Sequence, residues 1–113
     1  YLLSSDFLEI TKMVDEVKSE NPALDLETTF STLGYRLFFD LDRKEEAIAL
    51  FESNVLEYPE SYDAYGSLGY LQLLTEQYEI ARKNYVRAKE LNPDNSYSDR
   101  RINEIDAILE KRR

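Results

Sequence analysis

Few side chains in this chain could do covalent or acid–base chemistry. Gly66-Ser67-Leu68-Gly69 sets a serine among glycines, which resembles a nucleophile elbow. That motif needs a glycine two residues before the serine, on a strand-to-helix turn. Tyr65 stands there, and the surrounding pattern is helical. The chain has no His and no Cys, so the usual base for a serine nucleophile, the thiolate nucleophile and most zinc sites are missing. No Ser-x-x-Lys occurs either. Asp40, Asp42, Glu45 and Glu46 are grouped as a calcium site would need, but a calcium loop requires a glycine at its sharp turn and a twelve-residue spacing of oxygens, and this segment has neither. These carboxylates read as helix caps and solvated charge. The expected catalytic, metal and cofactor sets are all empty, so this segment reads as non-catalytic.

At 113 residues the chain suits one domain. Its formal charge of −9 repels phosphate backbones and anionic lipid, so the expected partners are protein or peptide, with no nucleic acid and no membrane. No apolar run approaches the roughly twenty residues of a membrane span. The basic end Lys111-Arg112-Arg113 suits a helix C-terminus. The chain opens at Tyr1 rather than Met, which suggests a piece of a longer protein. The compartment stays open.

Proline and the spacing of apolar residues divide the chain. Leu3, Phe7, Ile10, Val14 and Val17 recur in steps of four and three, the stripe of one helix face. Ser4 or Ser5 can cap that helix, and Asn21-Pro22 ends it. Asp25 can cap a second helix bearing Phe30, Leu33, Gly34, Leu37 and Phe38. Asp42 with Glu45 reads as a capping box for a third, with Ala47, Ile48, Phe51 and Val55, ending at Tyr58-Pro59. The pattern then repeats. Ser61 caps a helix with Tyr65, Leu68, Gly69 and Leu73. Thr75 caps one with Tyr78, Ala81, Tyr85, Ala88 and Leu91, ending at Asn92-Pro93. A final helix carries Ile102, Ile105 and Leu109. Pro59 and Pro93 lie 34 residues apart, a repeat signal.

The segment from Tyr62 to Asn95 resembles one unit of the tetratricopeptide repeat (TPR) family, through Tyr65, Leu68-Gly69, Tyr78, Ala81, Tyr85, Ala88 and Pro93. Gln72 departs from the aromatic often found there. The preceding segment resembles the same unit with one residue inserted in its turn, through Phe30, Leu33-Gly34, Ala47, Phe51 and Pro59; Lys44 and Asn54 depart from the usual aromatic and alanine. The resemblance implies an all-α, TPR-type α-solenoid of antiparallel helical hairpins, about six helices in three layers. Residues 1–21 form an N-terminal packing helix, 25–95 two units (26–60 and 61–95) and 96–113 a C-terminal capping helix. Glycine and alanine would lie where helix backbones cross, with aromatics filling the grooves beside them.

In this family the first helix of each unit lines the concave face. The resemblance therefore implies a groove with Tyr35, Phe38 and Phe39 from one unit and Tyr70, Leu73 and Leu74 from the next, holding a helix or an extended peptide. The chain's own N-terminal helix or a neighbouring domain could equally fill it. Some relatives grip a terminal carboxylate with Lys and Asn. Ser31, Tyr35, Gly66 and Tyr70 stand at those positions here, so that clamp is not expected.

A narrower resemblance rests on Leu33-Gly34-Tyr35-Arg36-Leu37, Glu45-Glu46-Ala47-Ile48 and the run from Phe51 to Ser61. These are similar to the TPR tails that follow bacterial serine hydrolases of esterase or β-lactamase-like type. They imply an alternative role as an accessory domain of such an enzyme, with the catalytic residues and a binding partner upstream. In that case the location would be periplasmic or extracellular rather than cytoplasmic.

Overall fold

The computed structural model describes residues 4–112. Leu3 and Arg113 lie outside the described residues, as do the side chains of Ser4, Ser5 and Phe7. The described residues form six α-helices and no strand: α1 (Ser4–Glu20), α2 (Leu26–Tyr35), α3 (Lys44–Glu57), α4 (Tyr62–Leu74), α5 (Tyr78–Leu91) and α6 (Ser96–Lys111). The fold is all-α. A π-helical turn, Arg36–Asp40, continues α2. The chain divides into two compact units, Tyr1–Leu50 and Phe51–Arg113, with the division running through α3.

Three helix starts follow from short polar side chains that accept an orphan backbone N–H. The Asp25 carboxylate accepts from the Thr28 N–H at 2.7 Å and the Ser61 hydroxyl from the Ala64 N–H at 3.1 Å. The Asn95 amide oxygen accepts from the Ser98 N–H at 3.2 Å. The bond from Thr28 holds the Asp25 carboxyl below its ordinary pKa.

Two expected caps are corrected. Asp42 does not form a capping box with Glu45. It lies two residues before α3 with φ 53°, and its carboxylate pairs with Lys44. The first α3 hydrogen bond instead runs from the Ala47 N–H to the Arg43 carbonyl at 3.0 Å. Thr75 belongs to the end of α4 rather than the start of α5. Its hydroxyl donates to the Leu71 carbonyl at 2.9 Å, and Gln77, which precedes α5, makes no side-chain cap bond. Threonine makes this backward bond readily, because its oxygen reaches the carbonyl one turn earlier.

In the first unit α1 packs on α2. Ile10 and Val17 of α1 are buried, as are Thr29, Leu33 and Gly34 of α2 and Leu37 and Phe38 of the π-turn. Val14 is half-buried. In the second unit α4 packs on α5, and α5 on α6. Ala81, Tyr85 and Ile105 form its core, with Tyr70, Leu73, Tyr78, Ile102 and Leu109 packed around them. Gly69 is the point of closest approach. A Cβ there would lie 3.1 Å from Tyr85 Cε2, 3.2 Å from Cδ2 and 3.3 Å from the Ala81 carbonyl oxygen. Gly66, one turn earlier on α4, faces open space.

The one-residue difference between the two repeated segments lies inside a helix, not in the turn where it was expected. Phe30, Leu33, Gly34 and Tyr35 precede Tyr65, Leu68, Gly69 and Tyr70 by 35 residues, whereas Leu37, Asp42, Ala47 and Phe51 precede Leu71, Glu76, Ala81 and Tyr85 by 34. Residue type and burial together locate the extra residue at Arg36, since Tyr35 matches Tyr70 and the match resumes at Leu37. With Arg36 set aside, buried Leu37 and Phe38 fall on buried Leu71 and Gln72. The backbone widens to take it. The Leu41 N–H reaches back five residues to Arg36, where the Thr75 N–H reaches back four to Leu71. Beyond the insertion, the Arg43 N–H bonds the Leu37 carbonyl and the Gln77 N–H the Gln72 carbonyl, each closing its turn. Asp42 and Glu76, the positive-φ residues other than glycine among those described, then fall in step at φ 53° and 64°. Single π-turns are a known way to house one inserted residue in a helix.

Two predictions follow from this packing. Gly66→Ala should raise stability by about 0.5–1 kcal/mol, since alanine costs less than glycine in a helix interior. Gly69→Ala should lower it by about 1–3 kcal/mol, because the Ala81 carbonyl cannot yield and Tyr85 must shift. Urea denaturation followed by circular dichroism measures both, and equal effects would contradict the packing described. Separately, deleting Arg36 should convert the π-turn to α-helix and leave stability within about 1 kcal/mol. Deleting Leu71 rotates the rest of α4 by about 100° and should abolish the cooperative transition.

Candidate functional site

The six residues expected to line a groove divide among exposed, half-buried and core positions. In the first unit Phe39 is 54% exposed. Its ring stacks on Tyr35, centroids 6.2 Å apart and planes 20° apart. Phe38 is corrected from groove to core, at 4% exposure, because the residue inserted at Arg36 turns position 38 inward. The Phe38 ring meets Phe39 edge-on at 4.9 Å and carries the Lys44 ammonium 5.5 Å from its centroid. In the second unit Leu74 is exposed. Tyr70 and Leu73 are half-buried and pack against the Ala81–Tyr85–Ile105 core.

The expected repeat-packing residues also divide. Leu33, Gly34, Ala47, Phe51, Leu68, Gly69, Ala81, Tyr85 and Ala88 are buried, and Phe30, Tyr65 and Tyr78 are half-buried. Pro59 and Pro93 are exposed in the turns after α3 and α5. They act as helix breakers, through the missing N–H and the fixed φ, and not as packing residues.

Positions overlooked in the sequence complete the pattern. Thr29, Ala64 and Ser98 are buried at matching points of α2, α4 and α6, and Leu71 is buried in step with the expected Leu37 and Ile105. The last helix therefore keeps the cadence of the first helices of both repeated segments. A signal was available in the small or β-branched residue three to four positions after each N-cap, Asp25, Ser61 and Asn95.

Arginine on tyrosine holds much of the second unit together. The Arg101 guanidinium lies 5.3 Å from the Tyr70 ring centroid and 5.0 Å from that of Tyr97. It donates to the Tyr97 hydroxyl at 3.1 Å and to Glu104 at 2.9 Å. Burial works against this charge, but these bonds outweigh it and keep the Arg101 pKa above its ordinary value. Arg112 sits 4.6 Å from the Tyr78 ring, and Arg87 5.9 Å from that of Tyr65. Arg82 with Asp106, and Lys89 with Asp99, pair across α5 and α6. Exposed pairs of this kind contribute about 0–1 kcal/mol each.

Asn54 of α3 is 2% exposed, and neither its amide oxygen nor its amide nitrogen has a hydrogen-bond partner. The buried Gln72, by contrast, accepts from the Asn84 amide at 2.6 Å. Asn54 holds the position taken by Ala88 one repeat later.

Among the described residues no three His, Cys, Asp or Glu side chains converge as metal ligands would, and no helix is long and apolar enough to cross a membrane. These features define an all-α protein of packed helices. No protein-family model matches the chain, and no curated protein matches it at a significant level.

An unsatisfied buried amide costs about 1–3 kcal/mol. Asn54→Leu keeps the number of heavy atoms and removes both orphan groups. The urea midpoint should stay unchanged or rise, by up to about 1 kcal/mol in stability. A loss of several kcal/mol would show that the amide is bonded in solution.

Proposed function

We infer that the chain is a TPR-type interaction module that binds a polypeptide segment and contributes no catalytic residue of its own. The repeat reading is supported by the matched register of the two segments: Ala47 with Ala81, Phe51 with Tyr85, Gly34 with Gly69, and the left-handed turn residues Asp42 and Glu76. Small residues recur at one set of positions and large rings at another, as hairpins that touch backbone to backbone require.

The single observation that carries the binding reading is the exposed Phe39 ring, stacked on the half-buried Tyr35, at the end of a helix whose other large apolar side chains are mostly inward. A ring left half in water gives up stabilisation of about 1 kcal/mol or more, and exposed aromatics are good recognition anchors because they offer much contact area for few rotatable bonds. Leu74 supplies an exposed apolar residue at the corresponding end of α4.

The test is selection from a random peptide display library, followed by calorimetric titration of the enriched sequences. Phe39→Ser should weaken binding about tenfold or more, while stability falls only by the lost ring contacts with Tyr35 and Phe38, about 0.5–1.5 kcal/mol each. A selection that enriches nothing over a scrambled control, or affinities indifferent to the Phe39 substitution, would overturn the reading.

A further inference from the structure

Among the first unit's carboxylates that join no ion pair, Glu27 precedes and Asp40 follows the stacked rings of half-buried Tyr35 and exposed Phe39. Its fifty residues hold eleven Asp and Glu against five Lys and Arg. Those cations are largely spent. Arg43 pairs with Glu9 and Glu46, Arg36 with Glu20 at 3.7 Å, and Lys44 with Asp42, while Lys18 donates to the Leu24 carbonyl. Neither Glu27 nor Asp40 joins an ion pair among the described residues.

Glu27 lies in the first turn of α2, where the helix dipole favours its charge, but one of its oxygens lacks a partner. Glu27 is half-buried, and its Oε2 is shut off from solvent without a hydrogen-bond partner. A carboxylate with one oxygen withdrawn from water gains more from a cation than a fully hydrated one does. Asp40 is exposed at the C-terminal end of the π-turn. There the helix dipole disfavours negative charge, so helix stability does not explain it.

Their spacing relates them to the aromatics. Glu27, Ser31 and Tyr35 follow one another at four-residue steps on α2, which puts them on one stripe. Phe39 stacks on Tyr35 at the end of that stripe, and Asp40 follows Phe39 directly. At 1.5 Å per residue, Glu27 and Tyr35 are roughly 12 Å apart along the axis. The buried stripe of the same helix, Thr29, Leu33 and Leu37, is fully enclosed.

We propose that this face of the first unit binds a basic, apolar polypeptide segment, in which a large aliphatic or aromatic residue packs on Tyr35 and Phe39 and Lys or Arg residues on either side reach Glu27 and Asp40. The inference rests on the interaction-module reading above and adds the chemistry of the partner to it. The match is one of charge and spacing. A helical segment bearing its cation about two turns from its apolar anchor spans the distance from Glu27 to Tyr35, and its charges meet the excess of carboxylates around it.

The experiment uses three synthetic peptides of about fifteen residues with the same helical spacing of leucines. Their remaining positions are Lys and Arg in the first, Gln in the second and Glu in the third. Each is titrated into the whole chain at low and high salt. The basic peptide should bind at least about tenfold more tightly than the neutral one, lose that advantage at high salt, and weaken about tenfold when Glu27→Gln and Asp40→Asn are combined. Circular dichroism verifies that the double variant stays folded. Equal affinity of the basic and neutral peptides, or a double variant that binds the basic peptide undiminished, overturns the proposal. If the leucine peptides still bind and depend on Phe39, the broader interaction reading survives that outcome. If none of the three binds, both fail.

Discussion

The approach of α4 to α5 sets the limits within which the second unit is built. At Gly69 the neighbouring helix presents a backbone carbonyl and the edge of a tyrosine ring, both nearer than a Cβ usually comes to its neighbours. Two helices that close need a residue without a side chain on one partner and a small one, Ala81, on the other. The space beside the contact is filled by Tyr85, which is wholly buried. Glycine in a helix interior lowers stability by about 0.5–1 kcal/mol against alanine. Full burial of a ring, about 1.5–3 kcal/mol for a large apolar side chain, more than offsets that. The partners are thus chosen together: a larger residue at 69 or at 81 would force the ring out of its place.

Much of this was legible before the structure. Pro22, Pro59 and Pro93 mark three helix ends, and Asp25 and Ser61 cap the helices they were expected to cap. The alternation of small and aromatic residues at a fixed spacing pointed to closely packed helices. Less could be read at the second end of each hairpin. Asp42 and Thr75 are both short polar residues at a helix boundary, and such residues serve an N-terminus, a C-terminus or a left-handed turn with similar ease. The division between core and surface was also hard to see. Phe38 and Phe39 are identical in type and point about 100° apart on the helix, and which of them meets the core depends on the helix phase after the widened turn. Asn54 gave two opposed signs, because it stands at the repeat's packing alanine while asparagine is ordinarily a surface residue, and the position prevailed.

The polar part of the second unit works by stacking as much as by ion pairing. Arg101 joins α4 to α6 through the faces of Tyr70 and Tyr97 and through hydrogen bonds to Tyr97 and Glu104. A guanidinium does this where an ammonium would not, because it is flat, offers donors in its plane and sheds water from its faces. Tyr65, Tyr70, Tyr78 and Tyr97 suit such a scheme, because each ring offers its face to an arginine while remaining partly open to water.

The π-turn has a consequence for how chains of this kind can change length over evolutionary time. A codon gained within a helix ordinarily rotates everything after it by about a quarter turn or more and scrambles which residues meet the core. Here the frame is restored within five residues, and Asp42 reverses the chain at the same phase as Glu76. The reversal, rather than the length of the helix before it, therefore sets the beat for whatever follows. An indel in a first helix becomes a local edit to the surface it displays, and the helices downstream inherit an unshifted reading of the core.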